Sequence, residues 1–96
     1  MLAVMAPAEE VEPFVGGEVS LAAVNAPGLT VLSGPTSVIE RVEAALGSRE
    51  IAARRLHTSH AFHSSMMDPI LAEFEELVSE VELCPPAIPF VATLTG

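Results

Sequence analysis

The stretch Glu18-Val19-Ser20-Leu21-Ala22-Ala23-Val24-Asn25-Ala26-Pro27-Gly28-Leu29-Thr30-Val31-Leu32-Ser33-Gly34-Pro35 decides the fold. Glu18 to Val24 is rich in Val, Leu and Ala and reads as a strand buried on both faces. Asn25-Ala26-Pro27-Gly28 is turn chemistry: Pro presets one backbone angle, Gly relieves the next, and Asn favours the turn's entry. Leu29-Thr30-Val31-Leu32-Ser33 returns as the second arm of a hairpin, and Gly34-Pro35 stops it.

Upstream of the hairpin, Met1 to Met5 is apolar and reads as a strand. Pro7-Ala8-Glu9-Glu10-Val11-Glu12 has Pro at a first helical position and acids in the first turn, which favours a helix start. Pro13 and Gly16-Gly17 limit that helix to about two turns. Downstream, Ser37 and Glu40 have the spacing of a capping box. Val38, Ile39, Val42, Ala45 and Leu46 then make one helical stripe, with Gly47 as its C-terminal cap. Ile51 to His57 is a further strand, and its arginines place it at a sheet edge.

From Ser65 to Glu82 the residues Met67, Ile70, Leu71, Phe74, Leu77, Val78 and Val81 recur at helical spacing, opposite Glu73, Glu76 and Glu80. Pro69 falls in the first turn, where the amide has no intrahelical acceptor. Pro85-Pro86-Ala87-Ile88-Pro89 is a stiff connector, and Phe90-Val91-Ala92-Thr93-Leu94 is a last extended piece. The element order is βαββαβ followed by a long helix and a tail. The fold class expected is therefore α+β, a ferredoxin-like unit with an additional C-terminal helix and tail. Residues 1–60 form its core. Residues 61–96 hold a histidine turn, the long helix and a strand returning toward a sheet outside this chain.

Composition narrows the function classes. Half the residues are apolar, and 13 acids face 4 arginines and no lysine, for a formal charge of −9. Nucleic acid and anionic membranes, which need basic surfaces, are excluded as partners. No apolar run is long enough to span a bilayer. The start lacks the basic region of a signal peptide and reads as a strand instead. Cys84 is the one cysteine, so no internal disulfide forms, and it is read as structural or inert. Arg49, Arg54 and Arg55 cluster near the histidines. They are either solvated loop charge or a local attraction for an anionic substrate or an acidic carrier protein.

The chemistry concentrates in Ser59-His60-Ala61-Phe62-His63-Ser64-Ser65. His57, His60 and His63 lie three apart. A zinc site of imidazoles is one reading, but that spacing drifts round a helix and no Asp, Glu or Cys completes the set. Histidines merely hydrogen-bonded at a strand-to-helix turn are the second. The third is a general base at His63, outside a helix N-terminus whose partial positive charge disfavours imidazolium. Ser64-Ser65 would cap that helix. A base needs a nucleophile within reach. Ser59, Ser64 and Ser65 are too close in sequence, Ser33 belongs to a turn signal, and no Gly-x-Ser-x-Gly elbow exists here.

The run Asn25 to Gly34, with His60-Ala61-Phe62-His63-Ser64, resembles the acyltransferase domain of modular type I polyketide synthases. The likeness extends over essentially the whole chain, and Ile88-Pro89-Phe90-Val91-Ala92-Thr93-Leu94-Thr95-Gly96 is similar to the strand that re-enters the large subdomain of that family. The His-Ala-Phe-His motif resembles the malonyl-selective class, where methylmalonyl-selective domains tend to carry Tyr-Ala-Ser-His. The resemblance implies a malonyl-CoA-type acyltransferase in which His63 is the base of a Ser–His dyad and His60 and Phe62 sit at selectivity positions. The partners implied are the large subdomain of the same polypeptide, malonyl-CoA, and the phosphopantetheine thiol of an acyl carrier protein, in the cytoplasm. No bound cofactor or metal is implied. The nucleophilic serine, the arginine for the malonyl carboxylate and the oxyanion-hole donors belong to the large subdomain, so this chain alone is expected to be inactive. Thr93 stands where the family often has Asn. The competing class is a non-catalytic ferredoxin-like ligand-binding or interaction module, which would not need the histidine run.

Overall fold

The computed structural model describes residues 1–94. Four strands, β1 (Leu2–Val4), β2 (Ser20–Ala26), β3 (Leu29–Ser33) and β4 (Ala53–Arg55), form one sheet in the order β2-β3-β1-β4. Every neighbouring pair is antiparallel. Helix α1 (Ala8–Val11) runs into a 3-10 turn at Glu12–Phe14, and α2 (Thr36–Gly47) links β3 to β4. This is the α+β, ferredoxin-like βαββαβ unit. A second 3-10 turn (Ser65–Met67) then leads into α3 (Asp68–Ser79), the additional helix.

The core lies on one face of the sheet. Leu2 pairs with Leu32 and Val4 with Thr30, and cross-strand partners share a face. All four are fully buried, with Val11, Ile39, Val42 and Leu46 of the two helices packed over them. Thr30 is tolerated there because its hydroxyl donates to the Ala6 carbonyl at 3.3 Å. By strand alternation Val31 and Ser33 point to the opposite face.

The hairpin forms as its turn residues dictate: Ala26 pairs with Leu29 around Pro27-Gly28. The burial expected for its first arm is not found. β2 is an edge strand with no buried residue, and Leu21 and Val24 are 39% and 56% exposed. It carries register shifts between Leu21 and Ala23 and between Val24 and Ala26, which is how edges are commonly blunted. The strand buried through most of its length is β3. β4 is the other edge, as its arginines indicated.

The capping box does not form. α2 begins at Thr36 behind Pro35, with no side-chain cap, so Ser37 is already inside the first turn. Gly47 closes the helix as its last residue. Ser48 follows as the cap, its hydroxyl donating to the Ala44 carbonyl at 3.1 Å. Gly34 sits where β3 leaves the sheet, and a Cβ there would stand 2.6 Å from the Glu18 carbonyl oxygen, so no larger residue fits without backbone movement.

α3 is amphipathic, as its spacing indicated, yet it buries no residue. Ile70, Leu71, Phe74 and Leu77 are each more than half exposed. Phe90 to Leu94 forms no strand: Phe90 is 70% and Leu94 93% exposed, with no ladder partner among the described residues. Thr95-Gly96, the end of the expected return strand, lies outside the described residues. Among the described residues no helix is long and apolar enough to cross a membrane.

Candidate active site

The histidine turn crosses the sheet face opposite the core. Ala61 is 4% exposed and anchors it. The Ser33 hydroxyl, itself fully buried, donates to the Phe62 carbonyl at 2.6 Å. The Ser64 hydroxyl donates to the Ala61 carbonyl and accepts from the Met66 amide at 3.3 Å, so it both closes the turn and caps the helical segment. The Ala61 amide is taken up by the Met66 sulfur at 3.4 Å.

Between those clamps His63 adopts φ = +59°, the left-handed region, uncommon for a residue with a Cβ. Its side chain is exposed, and among the described residues the ring makes no hydrogen bond. It stands where two open grooves meet. One, of about 530 Å³, is lined by Ser20, Phe62, Ser64, Met67, Asp68 and Leu71 as well as His63. The other, of about 610 Å³, is lined by Ala22, Ala23, Val24, Asn25, Thr93 and Leu94 with it. Thr93 and His63 thus border one space.

The other two histidines are not brought to this point. His60 hydrogen-bonds the Ser59 hydroxyl at 3.2 Å, and its ring lies 6.2 Å from that of Phe62 in a tilted arrangement. His57 lines a separate groove of about 300 Å³ beside Met1, Ile39 and Arg55. Among the described residues no three His, Cys, Asp or Glu side chains gather as a metal-holding set.

Three nearby serines are committed elsewhere: Ser33 to Phe62, Ser59 to His60, Ser64 to Ala61. No serine hydroxyl among the described residues is hydrogen-bonded to His63. The arginine cluster is largely committed too. Arg55 binds Glu43 at 2.7 Å and Glu40 at 3.2 Å, and those two hydrogen bonds, Glu43's first, raise its already high pKa. Arg49 lies 4.9 Å over the Phe14 ring.

Sequence reasoning missed Ser20, Met67, Asp68 and Leu71 as neighbours of His63. The helical stripe named Met67 and Leu71 only as a packing face. Ser20 carries no local signal, because its approach depends on β2 pairing with β3. The anchoring role of Ser33 was missed for the same reason.

The same chain fits within solved structures. Over 98% of its length it superposes on the acyltransferase domain of SpnD, determined in complex with 2-(pent-4-yn-1-yl)malonyl, with a TM-score of 0.93 and 40% identity. The acyltransferase domain from the second module of the salinomycin polyketide synthase matches equally well, at TM-score 0.93 and 38% identity. Among curated sequences the chain is 41% identical over 96 residues to a phenolphthiocerol/phthiocerol polyketide synthase of Mycobacterium tuberculosis. It is 44% identical over 89 residues to polyketide synthase GfsB of Streptomyces halstedii. No family model matches it.

The chain belongs with the acyltransferase domains of modular polyketide synthases, matching a fragment of one.

It spans 23% of each of the two solved acyltransferase domains, 6% of the mycobacterial synthase and 2% of GfsB. The polyketide synthase acyltransferase fold therefore extends well beyond the elements described above.

Proposed function

We propose that this chain is the small, ferredoxin-like subdomain of an acyltransferase that moves a malonyl unit from malonyl-CoA to the phosphopantetheine thiol of an acyl carrier protein. Residues 1–60 are its core. Residues 61–96 carry the histidine turn, the helix and the return toward the large subdomain. The observation that carries the reading is the exposed, unbonded His63 ring, held on a left-handed turn at the junction of two open grooves.

The chemistry follows from that placement. A serine hydroxyl from the large subdomain would fill the open side of the ring. His63 takes its proton as the serine oxygen attacks the thioester carbonyl, and returns that proton to the departing CoA sulfur. In the second half-reaction His63 takes the proton of the phosphopantetheine thiol. The sulfur attacks the acyl-serine ester, and the proton goes back to the serine oxygen. Phe62 shares the first groove with His63, and its bulk there disfavours a substituent on the acyl α-carbon. His60 backs the Phe62 ring. The similar SpnD domain, solved with an α-substituted malonyl group, supports a malonyl-type acyl unit, and the absence of a substituent rests on Phe62 alone. The cytoplasm is the setting proposed with these substrates, since CoA thioesters and carrier proteins would both have to reach the site.

The test is transfer of a radiolabelled malonyl group from malonyl-CoA to a carrier protein. The assay runs with the chain alone and with the large subdomain restored in the same polypeptide. Transfer is expected only in the second case, and His63→Ala in that polypeptide is expected to abolish it. Turnover by the chain alone, or full activity without His63, would refute the reading.

A further inference from the structure

We propose that Ser33 is a positioning residue for His63. The inference rests on His63 being the base, as set out above, and goes beyond it by naming what holds the ring in place.

Ser33 ends β3 and is fully buried on the sheet face opposite the core. A buried hydroxyl is costly unless it is hydrogen-bonded. This one is spent on the Phe62 carbonyl, 2.6 Å away and 29 residues on in the chain. That carbonyl and the His63 amide belong to a single planar peptide unit. Gripping its oxygen fixes the plane from which the φ rotation of His63 is measured. The adjoining unit, between Ala61 and Phe62, is gripped by Ser64 through the Ala61 carbonyl. Two consecutive peptide planes before the histidine are thereby fixed, one by the sheet and one by the turn itself. Without the sheet's grip the Phe62–His63 plane is free to rotate, and the left-handed φ of +59° is the conformation a residue with a Cβ leaves most readily. The ring would then point away from the junction of the grooves. Ser64 cannot substitute, because its bond is local and moves with the turn.

The experiment measures steady-state malonyl transfer by the full acyltransferase-containing polypeptide. The variants are Ser33→Ala, Ser33→Thr and His63→Ala, with the folded fraction of each taken from urea unfolding. Ser33→Ala is expected to lower kcat per folded molecule by about tenfold or more, since small misplacements of a reacting group are that costly. KM for malonyl-CoA should change by less than kcat does, because the Ser33 hydroxyl holds the Phe62 carbonyl and does not itself line the groove. Ser33→Thr, which keeps the hydroxyl, is expected to recover most of the rate. Should Ser33→Ala fail to fold, Ser33→Cys, which keeps the size but donates weakly, is read in the same way. Normal kcat in the variant lacking the hydroxyl, or a loss confined to KM, overturns the positioning role while leaving His63 as the base. Normal kcat in His63→Ala overturns both.

Discussion

The Ser33 hydroxyl and the Phe62 carbonyl meet at 2.6 Å, joining the end of a core strand to the residue immediately before His63. The bond crosses between two parts of the molecule of different character. β3 is buried through most of its length, whereas the turn and α3 present mostly exposed side chains. An exposed ring is thus referenced to a rigid sheet through one buried hydroxyl.

Position 63 carries a backbone conformation that glycine adopts without penalty and a histidine does not. His63→Gly is therefore expected to be at least as stable as the native chain, by up to about 1 kcal/mol, although glycine ordinarily destabilises. Urea unfolding of the chain measures this. A loss of more than about 1 kcal/mol would show that ring contacts, not backbone strain, dominate there.

Phe62 borders the groove that His63 shares, and is 40% exposed. Phe62→Ser enlarges that space by most of a ring. In the full polypeptide the kcat/KM preference for malonyl-CoA over methylmalonyl-CoA is expected to fall by about tenfold, the worth of one methyl group in a pocket. Competition between the two thioesters, read by mass spectrometry of the loaded carrier protein, decides it.

Gly34→Ala is expected to destabilise the chain by about 1–3 kcal/mol, the usual cost of forced overpacking. The new Cβ would fall 2.6 Å from the Glu18 carbonyl oxygen, and neither atom sits on a flexible side chain. A neutral effect in thermal unfolding would mean that the Glu18 segment moves aside freely.

Leu46 and Leu77 are both helix leucines on apolar stripes, yet one is fully buried and the other 58% exposed. Leu46→Ala should cost about 2–5 kcal/mol in this chain. Leu77→Ala should stay within about 0.5 kcal/mol. With the large subdomain attached, Leu77→Ala is expected to cost more than it does in this chain alone. Paired urea titrations of the chain and of the full polypeptide report this directly.

Much of the fold was legible because its signals are local. Pro27-Gly28 flanked by apolar runs fixes the hairpin, and Leu29–Ser33 forms the strand its residues indicate. The α3 stripe gave the helix, with Pro69 in its first turn. What failed depended on neighbours. Val, Leu and Ala in β2 look alike whether a strand is central or at an edge, and only the pairing order tells them apart. Ser37 and Glu40 have the spacing of a cap, but Pro35 starts the helix earlier. Phe90 to Leu94 is a separate case, since it was expected to pair with a sheet outside this chain, and no strand among the described residues pairs with it.

The site divided in the same way. An exposed histidine ahead of a turn capped by Ser64 could be read from His63-Ser64-Ser65, but α3 itself begins only at Asp68 and has no side-chain cap. The even spacing of His57, His60 and His63 suggested a trio, but the turn directs them to different surroundings. Neither the left-handed backbone at His63 nor the grip of Ser33 leaves a mark on nearby sequence. The grip of Ser33 exists only when segments 29 residues apart come together.

Helix α3 buries nothing of its own and is joined to the sheet through the short stretch that bears the imidazole. A tilt of that helix would be passed back along Ser64–Met67 to residue 63, one residue beyond the carbonyl that Ser33 grips.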